Sequence, residues 1–398
     1  MIKPEFILSK AKEQDSFYIY DGKAMGVRAE MLKAAFPGVE FLYSVKCNPF
    51  EGVVRTMANH DFGIDAASIR EVELAIKAGI SGGNIFYSTP GKTTAAIRKA
   101  LRRSIIIADS LNEVTKISQV VRAEPLEIGL RVNPDFSMDG DEGLPSKFGI
   151  DEKEALHFLK SGVPSNLRVV GLHVHLKSQM LEEEKLLHYY DRLLDMAGKM
   201  APYMRKFSFL NLGSGIGIPY GEENPLDIRS LGQKVAGKIS LFHEKFPETR
   251  LLIETGRYVT GPAGIYVTKV VDRKVSHGKT YLILADTLNG FLRPSMGELI
   301  TKYAGENAFG SEPLFTKNRA FPVRTLKKEE RDLETVTLAG SLCTASDVAA
   351  EELRLPHLEP GDLVIFENAG AYGATLSPFA FSSREKPAEY LVPEFDEW

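Results

Sequence analysis

The sequence predicts an α/β fold, a (β/α)8 barrel followed by a C-terminal mostly-β domain. Three observations carry that expectation. Short β-branched or aromatic runs alternate with amphipathic stretches of helical length over the first two thirds of the chain. Polar residues recur at the ends of successive runs. After about residue 270 the alternation stops, and strand-like runs follow one another with few convincing helices between them.

Taken in order, "FYIYDG" (Phe17 to Gly22) reads as a strand that joins the later β-rich domain. The barrel strands are then read near "EFLYSVK", "DFGIDAA", "NIFYST", "SIIIADS", "EIGLRVN", "VVGLHVHL", "SFLNLG" and "LLIETG". Helix-like segments such as "SIREVELAIKAG" and "EEEKLLHYYDRLLDMAGKMA" lie between most of them. The second is apolar at Leu186, Leu187, Tyr190, Leu193, Leu194 and Met196, a spacing that makes one buried face. Eight such units within roughly 230 residues match this barrel, which typically takes about 250. At or just past the strand ends come Lys46, Asp65, Asp109, Arg131, His175, Gly213 and Glu254. All eight strands point their C-terminal ends at one face, where the active sites of such barrels collect. "YLILADTLN", "ETVTLAGSLC" and "DLVIFENAG" read as later strands, and 301–331, rich in charge, Pro and Gly, as loops. The expected division is a barrel over 25–270 and a β-rich domain over 1–24 and 271–398.

Composition narrows the function classes. A chain of 398 residues is too long for one small core. With 49 basic against 53 acidic residues, the net charge of -4 advertises no basic face for nucleic acid. No signal segment is read at the termini, and no apolar run approaches the roughly 20 residues that span a bilayer. Cys47 and Cys343 are too few for a disulfide framework, so a reducing, cytoplasmic setting is expected. No low-complexity segment or short sequence repeat is present.

Several motifs carry chemistry, each with a plainer alternative. "NLGSGIGIP" (Asn211 to Pro219) offers backbone N–H groups that could cradle an anion. A nicotinamide-type fingerprint competes, weakened by its place at the seventh strand and by no clear acidic ribose reader, and so does a simple turn. "LLIETGRY" sets Glu254 at a strand end with Arg257 three residues later. That pair could protonate a heteroaromatic nitrogen and meet a phosphate, or form a rim salt bridge. The two histidines of "GLHVHLKSQ" point to the same face of a strand, for acid–base or stacking work or simply buried. No metal site is expected, because further ligands at suitable spacing are missing. In "GSLCTASD", Cys343 is a small hydrophobe or a proton donor. Together, a strand-end lysine, a Gly-rich cradle, a carboxylate for a ring nitrogen and a histidine for a ring face are the parts needed to hold pyridoxal phosphate.

From "YIYD" through "YSVKCNP", "GIDAAS", "GLHVHLKSQ", "LNLGSGIGI", "ETGR", "GSLCTASD" and "NAGAYG" to "KPAEYLV", the sequence resembles the barrel-type pyridoxal-phosphate decarboxylases that act on diaminopimelate, ornithine and arginine. The resemblance implies a homodimer whose cysteine loop completes the partner's site. It makes Lys46 the Schiff-base lysine and places His175 on the cofactor ring. Ser178, Gly213, Gly215, Gly217 and Arg257 would surround the phosphate, and Tyr372 would reach phosphate or substrate. Glu254 would pair with the ring nitrogen, Asp65 and Arg131 would support from beneath, and Cys343 would return a proton.

Departures bear on the substrate. Lys177 and Ser214 stand where the family usually has glycine, and neither change removes a backbone N–H. Diaminopimelate enzymes carry a glutamate directly after the cysteine to read a distal ammonium; here that residue is Thr344. Arg293 in "NGFLRPSM" is kept where those enzymes meet a distal carboxylate. Thr344, Arg293, Asp347 and Tyr372 are thus the expected substrate residues. The Cys-Thr-x-x-Asp pattern looks more like a branch serving siderophore or other natural-product pathways, acting on amino acids attached to a citryl group or a carrier-protein arm. A diaminopimelate decarboxylase, a racemase of the same fold (which generally has an arginine at the ring nitrogen, unlike Glu254) and a non-catalytic cofactor-binding protein are the competing readings.

Overall fold

The computed structural model describes residues 2–122, 124–213, 215–221, 223–305, 319–327 and 333–394. It divides into two compact units, one of Arg28–Gly217 and Leu226–Gly256, the other of Met1–Val27, Ile218–Pro225 and Arg257–Trp398. The last segment of this second unit begins at Arg257, and the strand Gly264–Ser276 runs across the sequence-based boundary at residue 270.

Strands are numbered along the chain. β1 (Ser16–Asp21) belongs to the β-rich unit. The barrel unit holds β2 (Val39–Ser44), β3 (Gly63–Ala66), β4 (Ile85–Tyr87), β5 (Ile105–Ala108), β6 (Leu126–Asn133), the two-residue β7 (Ile150–Asp151), β8 (Leu167–His173), β9 (Phe209–Asn211) and β10 (Arg250–Thr255). Apart from β7, which adds to β6, neighbouring strands pair in parallel around a closed ring, with β5 joined to β6 and β10 back to β2. The (β/α)8 barrel read from the alternating runs is therefore present. Its strands are buried on both faces, which is why they read as nearly continuous apolar runs.

Leu42, Phe86, Ile107, Val170, Phe209 and Leu252 form one buried layer drawn from six strands. The Phe209 ring fits only because β6 and β8 carry glycines beside it. A Cβ at Gly129 or Gly171 would lie 2.7 or 2.4 Å from its ring atoms. On the helix Glu183–Met200 the buried face is Leu186, Tyr189, Tyr190, Leu193, Met196, Ala197 and Met200, so Leu187 and Leu194, expected inside, are only half-buried.

Two barrel helices start with the same device. Ser68 Oγ accepts the Glu71 N–H at the start of Ile69–Lys77, and Ser110 Oγ accepts the Glu113 N–H at the start of Leu111–Val120. Each glutamate reaches back to a backbone N–H, of Ala67 at 2.6 Å and of Asp109 at 3.1 Å. This is the reciprocal logic of a capping box, and it locks the segment that follows the strand-end aspartates 65 and 109.

In the β-rich unit, β11 (Gly264–Ser276), β12 (Lys279–Leu284), β13 (Val323–Thr325), β14 (Leu333–Gly340), β15 (Val348–Pro356), β16 (Leu363–Phe366) and β17 (Ala388–Val392) join β1 in one eight-stranded sheet. β1 lies between β11, antiparallel, and β17, parallel. Phe17, Ile19, Ile265, Val267, Leu363 and Ile365 pack beneath it with Ile2 and Ile7. A helix, Leu292–Ala304, runs into the region read as loops, 301–331, and β13 lies inside it; much of the rest of that region falls outside the described residues. Among the described residues no helix is long and apolar enough to cross a membrane.

Candidate active site

Lys46 lies in the 3-10 turn Val45–Cys47, directly after β2. Its Nζ is 3.4 Å from Asp65 Oδ2, and its side chain is partly exposed while that of Asp65 is fully buried. Ser88, just past β4, donates to the other Asp65 oxygen. A partly exposed amine fixed by a buried, oriented carboxylate is well placed to meet a carbonyl compound. Glu71 was not anticipated. Burial, with a contribution from the charge of Asp65, pushes its carboxyl up to about 7, opposed by the Ala67 N–H and by Lys46.

Glu254, on β10, is a buried carboxylate. Its Oε1 accepts a hydrogen bond from Asn211 Nδ2 at 2.9 Å and lies 3.0 Å from His173 Nε2. Its Oε2 keeps lone-pair capacity, with His175 Nδ1 at 3.8 Å. Burial opposes its ionisation, but the imidazoles of His173 and His175 and the Lys46 ammonium hold its carboxyl well below the usual range. Burial pushes His173 the other way, towards the neutral ring. Of the two histidines, His173 ends β8 inside the core, and His175 emerges two residues later, half-buried, with Nε2 3.3 Å from Ser178 Oγ. The sequence assigns no role to Asn211 and leaves His173, one of the two histidines of "GLHVHLKSQ", open between a working and a buried imidazole. Their register neighbours on β6, β8 and β9 are Arg131, His173 and Asn211, so the three form one level of the barrel. Arg131 reaches the His175 carbonyl with Nη2 at 3.4 Å and lies 3.6 Å from Asp109.

The Gly-rich segment differs from the expectation of three free N–H groups. Gly213 donates to Asn211 Oδ1 at 2.8 Å, and Gly217 to the Met180 carbonyl at 3.0 Å. Among the described residues, the Gly215 N–H has no acceptor within the chain. Gly213 is required for a different reason: its φ is +67°, and a Cβ would lie 2.2 Å from the Val174 carbonyl oxygen. The close approach that results is a cradle that any side chain would fill.

In the β-rich unit, Arg257 and Arg293 each donate through Nη1 to Tyr220 Oη at 3.1 Å. Arg257 covers the ring of Tyr372 at 4.8 Å, and Tyr372 holds φ +54°, a left-handed conformation that non-glycine residues adopt at a cost. Arg293 is fully buried. Cys343 is an exposed free thiol, and the Thr344 hydroxyl is 2.8 Å from that of Ser346.

Asp347 corrects the sequence reading. It was expected to touch substrate, yet it is buried, and both its oxygens are committed within the chain. Oδ1 accepts from Thr287 Oγ1 and from Leu288 N at 3.0 Å, and Oδ2 from Leu342 N at 2.9 Å. It shapes the turn that presents Cys343.

The donor set fits pyridoxal phosphate on grounds of its own chemistry. There is an amine for the aldehyde, a buried anionic carboxylate with an open lone pair for a protonated ring nitrogen, and a tight glycine turn beside an imidazole.

Comparisons with known proteins agree. Residues 24–261 match the pyridoxal-dependent decarboxylase, pyridoxal binding domain. The L-glutamyl-[BtrI acyl-carrier protein] decarboxylase of Niallia circulans is 31% identical over 94% of this chain and 88% of its own length. The diaminopimelate decarboxylase of Methanothermobacter thermautotrophicus is 30% identical over 95% and 86%. Among solved structures, diaminopimelate decarboxylase from Helicobacter pylori with L-lysine superposes at a TM-score of 0.82, with 25% identity over 98% of this chain and 94% of that one. Lysine/ornithine decarboxylase from Vibrio vulnificus with putrescine gives 0.80, with 25% identity over 99% and 100%. The chain therefore belongs to the pyridoxal-dependent decarboxylases of the diaminopimelate and ornithine decarboxylase family, and is a lyase that acts on an amino acid with pyridoxal phosphate as cofactor.

Proposed function

We propose that the enzyme decarboxylates an L-amino acid whose side chain bears an acidic or extended conjugate, in a siderophore or other natural-product pathway. The observation that carries this reading is the loop after Cys343. Where the resemblance expects a glutamate for a distal ammonium, Thr344 is neutral and bonded to Ser346. A buried ammonium without its charged reader loses a few kcal/mol of discrimination. Arg293 supports an acid at the far end of the substrate, and the carrier-linked glutamyl group in the name of the Niallia relative is an extended conjugate.

When bound, pyridoxal phosphate supplies an electron sink for the bond to the departing carboxylate. Lys46 anchors it, with Asp65 orienting the amine. Glu254 holds the proton on the ring nitrogen, and Asn211 and His173 keep that carboxylate ionised and aimed. His175 covers a ring face, supported by Arg131. Gly215 N–H, Ser178, Arg257 and Tyr372 hold the phosphate, with Gly213 and Gly217 providing the close approach. Cys343 delivers the replacing proton, from an exposed loop suited to serving a second copy in a homodimer.

Diaminopimelate decarboxylation is the second reading, favoured by the 30% identity to the Methanothermobacter enzyme. Carbon dioxide release from the holoenzyme separates the two, using free diaminopimelate, citryl–diamino-acid conjugates and glutamyl groups on a carrier protein. Preference for a conjugate supports the proposal, and fast turnover of free diaminopimelate overturns it.

A further inference from the structure

One phenol oxygen in the β-rich unit is shared by two arginines. Tyr220 is buried, and its Oη accepts from Arg257 Nη1 and from Arg293 Nη1, both at 3.1 Å. The two nitrogens thus lie within about 6 Å of each other, a distance at which like charges repel unless an acceptor stands between them. The Tyr220 ring also lies 4.6 Å from the Arg293 guanidinium and 5.6 Å from that of Arg257. Arg293 Nη1 donates in addition to the Ala371 carbonyl at 3.0 Å, and Phe321 covers the same guanidinium at 4.7 Å. The plane of Arg293 is therefore fixed by two rings and by two acceptors on one nitrogen. A guanidinium held in one plane meets a carboxylate or phosphate without reorganising, which makes its forked geometry selective.

We infer that Tyr220 is a specificity-positioning residue, sharing its oxygen so that Arg257 and Arg293 are held in register for two anions, the cofactor phosphate and an acid on the substrate side chain. The inference rests on the acidic-substrate reading above and names the residue that enforces it. Nothing about Tyr220 was read from the sequence, where it closes the Gly-rich segment as an ordinary aromatic.

The arrangement has a pH signature. Burial opposes ionisation of the phenol, but the two guanidinia outweigh it and bring Tyr220 below the ordinary tyrosine range. Its other close groups are Glu223, whose carboxylate accepts the Tyr220 N–H at 2.8 Å, and Tyr372, across Arg257. Ionising Tyr220 cancels one of two positive charges, so affinity for an acidic substrate falls at alkaline pH.

The test titrates wild-type and Tyr220→Phe holoenzyme with L-2-aminoadipate and with L-lysine, following the cofactor's visible band. The wild type is expected to favour aminoadipate. In Tyr220→Phe, aminoadipate affinity should fall about ten- to hundredfold, with lysine affinity held within about twofold, as for a misplaced binding group. Equal weakening of both ligands, or no change in either, overturns the inference while leaving the acidic-substrate reading intact. A wild type that favours lysine overturns that reading and the inference with it. Should Tyr220→Phe not fold, 3-fluorotyrosine at position 220 keeps the shape and hydroxyl. It should move the alkaline loss of aminoadipate affinity to lower pH and leave the lysine profile in place. Superimposable profiles overturn the inference.

Discussion

Replacing Asp347 separates a loop-shaping role from a substrate-binding one. Three donors converge on its carboxylate: the Thr287 hydroxyl and the Leu288 and Leu342 N–H groups. Its own carbonyl also accepts the Gly340 N–H at 2.8 Å, and Gly340 leaves no room for a Cβ, which would lie 2.0 Å from Asp347 Oδ2. Hydrogen bonds to a charged group contribute about 1.5–3 kcal/mol each, and buried N–H groups left without an acceptor add a desolvation penalty. The terms share one network and do not add fully, so Asp347→Ala should cost about 3–5 kcal/mol. Asp347→Asn keeps one acceptor but turns an amide NH2 towards an N–H donor, and should cost about 2 kcal/mol. Urea unfolding gives the stability, the visible band reports cofactor uptake, and steady-state kinetics give kcat and KM. Because Leu342 immediately precedes Cys343, kcat should fall with the cofactor still bound. Stability within about 0.5 kcal/mol of wild type, with only KM raised, would instead return Asp347 to the substrate.

Other perturbations test other parts of the site. Glu71 binds its proton more tightly folded than unfolded, so its ionisation destabilises the fold as pH rises from about 4.5 to about 7 and by a constant amount above that. Glu71→Gln keeps an acceptor for Ala67 and should stabilise the protein by up to about 3 kcal/mol at pH 8, with little effect at pH 4, as read from melting curves at the two pH values. Gly213→Ala should lose about 2–4 kcal/mol, from the left-handed φ and the clash with Val174, and should lower cofactor retention on dialysis. Lys92→Met breaks a buried pair in which Nζ meets Glu113 at 3.0 Å and the carbonyls of Thr89 and Ile107, both at 2.6 Å. It should destabilise by about 3–5 kcal/mol in urea unfolding and leave the visible band in place.

The barrel was legible because strands covered on both sides leave unbroken apolar runs, and because one residue type per strand end broke them: Lys46, Asp65, Arg131, Glu254. Less visible were elements whose local sequence conflicts with their role. The helix Leu292–Ala304 contains Pro294 and Gly297, and the proline is tolerated only because it falls in the first turn. The strand Gly264–Ser276 ends in exposed, charged residues and is absent from the strands read in the sequence. At the site, Asn211 was hidden inside an apolar run and the role of His173 stayed open, since nothing local distinguishes a polar side chain aimed at Glu254 from a strand-end residue. Asp347 was misread because a carboxylate shortly after a cysteine has the same letter whether it meets a ligand or the backbone and hydroxyl donors of its own chain. Glu71 and Glu113 did leave a signal, since each follows a serine by three residues at a strand exit.

Borohydride reduction of the holoenzyme followed by peptide mapping decides whether Lys46 anchors the cofactor. One phosphopyridoxyl group per chain is expected, on Lys46, with loss of the visible band in Lys46→Ala. A label on another lysine, or a purified protein that takes up no cofactor and carries no label, would contradict it.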